Sequence, residues 1–143
     1  SEEDAELAAQ LRAVLLVSSR ILRTRTADDR VSASQFSVLA YLQRNGEATP
    51  GAIAAFEHVS PPVMTRILRR SRRMDSSSAV QTPEDGRQVL VSLTEKGDDV
   101  VARGRRERDA WLSTRIGDIS VHERQTLREA TEILRRSFLG RPD

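Results

Sequence analysis

No cysteine occurs among the 143 residues, which excludes a disulfide framework, a thiolate zinc site, a cysteine nucleophile and thiol-based oxidant sensing. Aromatic residues are scarce at 3%, so any core is built from Leu, Val, Ile and Ala. No apolar run approaches the ~20 residues of a membrane helix, and the acidic opening SEEDAE does not resemble a signal peptide. A soluble, cytoplasmic protein with no membrane partner is expected. Lysine is nearly missing as well: Lys96 is the sole lysine among 23 basic residues. His58 and His122 are far apart in sequence, with no carboxylate at metal spacing. No Gly-x-Ser-x-Gly elbow and no phosphate loop is present. An enzyme reading therefore has no residues to rest on, and no catalytic group, metal or cofactor is expected. One deficit is local: from Ser71 to Ala79 there is no Leu, Ile or Val, and three serines stand in a row.

What is present is charge and helical periodicity. Charged residues make up 31% of the chain, with a net charge of only +2, so distribution matters more than the total. Arginine's planar fork suits phosphate and base edges. Leu7, Leu11, Val14, Leu15, Ser18, Ile21 and Leu22 recur at steps of three and four, a long amphipathic helix over 5–25. Ser32 or Ser34 caps a second helix, with Phe36, Leu39, Ala40 and Leu42 inward, ending near Asn45-Gly46. Thr49-Pro50 starts a short helix through Ala55. Ser60-Pro61-Pro62 repeats the device before a helix through Arg70. Pro83–Gly86 is a turn signal, Gln88–Leu93 alternates as a strand, and Thr94–Gly97 opens a long helix to about Leu112. A last helix spans roughly 120–138.

This order describes a mainly α fold with a small β wing, a winged helix-turn-helix. The flanking helices are too apolar on one face for a lone small domain and predict a homodimer formed through the N- and C-terminal helices. The expected organisation is a single chain, 1–143, with a DNA-binding lobe at 32–95 and dimerisation helices at 1–27 and 98–143. Trp111 is placed at the dimer junction, with an effector-pocket role as the alternative.

The segments SASQFSVLAYLQRNGEATPGAIA (32–54), VSPPVMTRILRR (59–70) and DGRQVLVSLTEKG (85–97) together resemble the MarR family of bacterial transcriptional regulators. The resemblance implies a sequence-specific regulator of double-stranded DNA, a repressor at a palindromic operator relieved by a small lipophilic or aromatic effector. Physical reasoning on the same residues agrees, because the first part of the second helix of such a motif meets base edges. Thr49, Ser60, Pro61, Pro62, Thr65 and Arg66 are the expected DNA residues, with Arg69 and Arg70 as phosphate contacts. The resemblance further implies that Arg87 enters the minor groove and that Asp85 orients its guanidinium. The competing reading is a dimeric small-molecule-binding or interaction protein whose DNA binding is impaired by the aberrant segment 71–82.

Family members typically have leucine, glycine and two apolar residues where this chain has Ser71, Asp75, Ser76 and Ser77. Straddling codons, each built from the third base of one codon and the first two of the next, can restore the pattern. Met74-Asp75 forces GGA, glycine, at 75. A TCN serine gives an apolar residue at 71, 76 or 77, and Ser78-Ala79 can give arginine at 79. Ser71–Thr82 thus reads as a compensated frameshift, with a genuinely divergent polar linker as the alternative. On that reading Arg72 and Arg73 are not ancestral, and they are left out of the expected DNA contacts.

Overall fold

Helix signals in the sequence become helices at nearly the expected places. The computed structural model describes residues 1–25, 30–81 and 88–140; the expected turn at 83–86, with Asp85 and Arg87, lies outside them. The elements are α1 (Glu2–Arg23), α2 (Ala33–Asn45), α3 (Pro50–Glu57), α4 (Pro61–Arg73), β1 (Ser77–Gln81), β2 (Val89–Leu93), α5 (Glu95–Gly117) and α6 (Val121–Leu134). Contacts divide the chain into Ser1–Arg108 and Asp109–Asp143, with α5 running through the boundary.

In the first unit, Ser32 rather than Ser34 caps α2 by accepting from the Gln35 amide. Of the expected inward face of α2, Phe36, Leu39 and Leu42 are buried and Ala40 is only half-buried, while Val38, not expected there, is fully buried. One cluster joins Val38 and Leu42 to Ile53 and Ala54 of α3, Met64 and Leu68 of α4, and Val91 of β2. A second joins Phe36 and Leu39 to Val31 and to Val101 of α5. Leu93 packs on both, so β2 ties the two halves of the core together. β1 and β2 pair antiparallel with Ser77 opposite Leu93 and Ala79 opposite Val91. Ala48 adds a bridge on the other edge of β2, exchanging 3.1 and 2.8 Å backbone bonds with Val91. α1 buries none of its residues; Leu7 and Val14 are 63% and 62% exposed, and Leu15, Leu16 and Val17 are exposed beside them.

The polar stretch folds as the end of α4, a tight turn and the start of β1. α4 runs on through Ser71 to Arg73, beyond the expected stop at Arg70. It ends in a Schellman motif: the Asp75 amide donates to the Arg72 carbonyl at 3.1 Å and the Ser76 amide to the Ser71 carbonyl at 2.9 Å. Asp75 occupies the left-handed position with φ 61°, where glycine is favoured. Ser71, Ser76 and Ser77 are buried, and their hydroxyls find no hydrogen-bond partner among the described residues. A buried unsatisfied hydroxyl costs about 1–3 kcal/mol, so this turn is a weak point of the lobe.

The start of α5 is locked onto that turn. Thr94 donates its amide to the Ser76 carbonyl at 3.2 Å and its hydroxyl to the Asp75 carbonyl, while its Oγ1 caps the Gly97 amide at 3.0 Å. A Cβ on Gly97 would lie 2.0 Å from the Ser76 carbonyl oxygen. Further along α5, a Cβ on Gly104 would lie 2.2 Å from the Phe36 ring.

The second unit holds the end of α5, α6 and a single π turn at Arg135–Leu139, where one continuous α-helix was expected. Ser120 and Glu123 form a capping box, each side chain accepting from the other's amide at 3.0 Å. The Ser120 amide, followed by its hydroxyl, holds the Glu123 carboxyl below its ordinary pKa. Arg115 stacks over Trp111 at 4.0 Å. Leu112, Ile116, Val121, Leu127, Ile133, Phe138 and Leu139 are all exposed.

Gly97→Ala is expected to destabilise the protein by about 1–3 kcal/mol, the usual range for overpacking. A backbone carbonyl, not a side-chain end, stands in the way. Urea unfolding followed by circular dichroism reads this directly; a midpoint equal to wild type would contradict it.

Candidate nucleic-acid interface

α3 and α4 form a helix-turn-helix whose corner is set by local chemistry. Thr49 caps α3 by accepting from the Ala52 amide at 3.1 Å, and Pro50 fills the first helical position. α3 ends in its own Schellman motif. His58 is left-handed at φ 54°, and the amides of His58 and Val59 donate to the carbonyls of Ala55 and Ala54. Here the residues joined across the motif are apolar: Ala54 is buried, and Val59 packs against the same cluster. That pairing fixes the angle at which the chain enters α4.

Ser60 begins α4 without a side-chain cap bond. Pro61 and Pro62 follow, so the missing proline amides remove donors that would otherwise be left over. Met64, Leu68 and Ser71 face inward. Ser60, Pro61, Pro62, Thr65, Arg66, Arg69 and Arg70 are all exposed, so the structure brings the expected α4 residues together on one surface. Thr65 donates its hydroxyl to the Pro61 carbonyl at 3.0 Å, leaving its oxygen free to accept. Arg70 reaches back to the Arg30 carbonyl at 3.3 Å. Thr49 sits apart at the start of α3 and is half-buried. Asp85 and Arg87 belong to the stretch outside the described residues.

Sequence reasoning missed how far the positive surface extends. Arg73, set aside on the frameshift reading, is exposed and falls on the stripe of Arg66 and Arg69 at helical spacing. Beside that stripe lies a cavity of about 870 Å³ lined by Arg30, Arg66, Arg69, Arg70, Arg73, Lys96 and Arg103, with Met74, Ser76 and Val100 beneath them. Asp99 is the one acidic residue of the lining. The signal in the sequence was the seven-residue spacing of Lys96 and Arg103 on α5, which puts both on one side of the helix. Only the fold shows that this side and α4 line one cavity.

A second hollow of about 420 Å³ is lined by residues including Arg23, Phe36, Arg44, Phe56 and Arg108. Arg108 lies over the Phe36 ring at 3.9 Å and donates to the Arg23 carbonyl at 3.4 Å. Burial, and then the neighbouring Arg23 charge, hold the Arg108 pKa below its ordinary value. Its Nε is buried with no partner among the described residues. Ser37 donates to Glu57 at 2.6 Å on the same wall. Three guanidiniums, those of Arg23, Arg44 and Arg108, thus stand beside an aromatic surface, with Glu57 as the acidic residue of the lining.

Comparison with known proteins agrees with this geometry. The MarR family profile matches residues 31–70, the stretch from just before α2 to the last turn of α4. A HTH-type transcriptional regulator of Mycobacterium bovis, Mb0904, is 41% identical over 133 residues, covering 93% of each chain. A solved transcriptional regulator from Pseudomonas aeruginosa is 28% identical over 95% of both chains, with a TM-score of 0.83. A mutant of S. aureus MepR, solved bound to an oligodeoxyribonucleotide, shares the fold with a TM-score of 0.67 at 17% identity, over 92% of this chain and 96% of that one. With its winged helix-turn-helix and a relative of this identity along nearly its whole length, the chain belongs to the MarR family of DNA-binding transcriptional regulators and is not an enzyme.

Proposed function

We propose that the protein is a repressor that binds a palindromic operator as a homodimer and is released by a small aromatic or lipophilic acid. The observation that carries this reading is the exposed face of α4. Pro61, Pro62, Thr65, Arg66 and Arg69 stand together, and among the described residues no acidic group pairs with Arg66 or Arg69. Unpaired arginines on a recognition helix are free to meet phosphates and base edges. The bare apolar stripe of α1 and the exposed apolar side chains of α6 call for a second copy of the chain, which would give the two-fold symmetry a palindrome requires.

The effector reading rests on the hollow beside Arg23 and Arg108. A carboxylate there would meet two guanidiniums and offer an acceptor to the orphaned Arg108 Nε, while its ring lay among Phe36 and Phe56. Because α2 and α3 line the hollow, a ligand that prefers one arrangement of the lobes would shift the dimer away from the DNA-binding spacing. A protein that binds small molecules but not DNA is the second reading, favoured by the orphaned hydroxyls at the wing root.

Fluorescence anisotropy on the gene's own upstream region separates these readings. Arg66→Ala should weaken operator binding about ten- to a hundredfold, the range for loss of one good base contact. Wild-type protein that holds every duplex equally, or none, would sink the operator claim. Sedimentation at micromolar concentration should give twice the 16.0 kDa chain mass, and Leu7→Asp with Leu15→Asp should yield monomer; a wild-type monomer contradicts the dimer. Salicylate, as a probe aromatic acid, should release the operator, and Arg108→Gln should raise the concentration needed by about tenfold, in keeping with loss of one charged hydrogen bond. An unshifted release curve would place the effector elsewhere.

A further inference from the structure

We propose that the DNA-binding surface continues from α4 across the adjoining cavity, with Lys96 and Arg103 of α5 as a second wall that grips the phosphate backbone. This rests on the DNA-binding reading above. Seven cationic residues and one acidic residue line the cavity. Among the described residues, the side chains of Arg66, Arg69, Arg73, Lys96 and Arg103 make neither an ion pair nor a hydrogen bond. A purely structural charge cluster would carry counter-anions on the protein; this one awaits them from outside.

Its continuity with the recognition helix points to a duplex. Arg66 and Arg69 belong both to the exposed face of α4 and to the cavity wall, so a duplex seated on α4 brings its backbone to the cavity mouth. Lys96 and Arg103, seven residues apart, are about 10 Å apart along the helix axis, far enough to meet different phosphates of one strand, whose axial rise is about 3.4 Å per phosphate. Both stand on α5, off the recognition helix whose first turns would meet base edges. Their contribution is therefore uniform across sequences, and it positions α4 in the groove.

The test is a salt titration of binding by the full-length protein, using Lys96→Gln/Arg103→Gln. A charge-matched control, Arg105→Gln/Arg106→Gln, changes α5 outside the cavity. The double variant should lose the same factor of affinity for operator and for unrelated duplex. The slope of log affinity against log salt should fall by about two relative to wild type, close to one for each lost phosphate contact. Its circular dichroism and Tm should be unchanged, and the control should lose less. Wild type that binds operator alongside a double variant of equal affinity and slope overturns the cradle and leaves the DNA reading intact. Pyrophosphate binding that is lost in the double variant while DNA affinity is kept also overturns it, in favour of a small-anion site. Wild type that binds no duplex overturns both.

A separate observation carries a second inference, about the origin of the wing root. We infer that Ser71–Thr82 descends from an ordinary MarR wing entry by one base gained and one lost. The two Schellman motifs of the chain make the comparison internally. The α3 motif joins Ala54 to Val59, whereas the α4 motif joins Ser71 to Ser76, both fully buried with orphaned hydroxyls. Its left-handed position carries Asp75, where the straddling codon spells glycine. The structure thus asks for apolar, glycine and apolar at the three positions where the shifted frame can supply them.

The gene's nucleotide sequence is the first test. Ser71, Ser76 and Ser77 should be TCN codons and Ser78 should be AGC, so that the shifted frame is apolar, apolar, apolar and then leads into arginine. An AGY codon at Ser71 or Ser76 overturns the inference, because the shifted frame then spells a polar residue or a stop. The second test is thermal: Ser71→Leu/Asp75→Gly/Ser76→Leu should raise Tm by several degrees and sharpen the transition. An unchanged or lower Tm overturns the claim that this turn was built for those residues.

Discussion

The backbone carbonyl of Ser76 is the point on which the rest of the lobe depends. It accepts the Thr94 amide, and it stands where any side chain at position 97 would have to go. The end of the recognition helix, the first wing strand and the start of the long α5 helix therefore meet within one turn. Tilting α4 means breaking the Thr94 cap or pulling α5 away from the wing. That coupling gives a physical route by which movement of α5 changes how α4 is presented, because the junction is tightly packed and does not deform smoothly.

Around this junction the molecule places opposite demands on one helix. α4 must hold Met64, Leu68 and Ser71 inward to join the core, and it must present Arg66 and Arg69 outward with no ion pair among the described residues. The first demand gives the helix its orientation and the second gives it a partner. Ser71 weakens the inward face at the helix's C-terminal end, so burial of Met64 and Leu68 carries the orientation. The bridge from Ala48 to Val91 helps, since it holds the loop before α3 against β2 and so keeps the corner between α3 and α4 fixed.

Much of this architecture was legible in the sequence because capping chemistry and periodicity are local. Thr49-Pro50, Ser60-Pro61-Pro62 and Thr94–Gly97 each marked a helix start that the structure contains, and spacing found Phe36, Leu39 and Leu42 of the inward face of α2 but named Ala40 and missed Val38. The ends were less legible. α4 continues to Arg73 because the Schellman turn at Asp75 stops it, and neither Ser71 nor Asp75 announces such a stop. The exposed face of α4 could be read from its prolines and arginines. The cavity beside it could not, because Arg30 and Lys96 come from elements distant in sequence and only packing puts them beside Arg69. The Arg23–Arg108 hollow was hidden for the same reason: those two arginines are 85 positions apart.

Hydroxyl-radical footprinting of the protein on its own upstream DNA tests the account most directly. In the proposed homodimer, two unpaired arginine faces related by a two-fold axis should protect two half-sites of a palindrome, centred about one helical turn apart, roughly 10 base pairs. The flanking backbone should also be protected where a second basic wall touches it. Uniform protection along the fragment, or none at concentrations that saturate unrelated DNA, would contradict the claim that this surface recognises an operator.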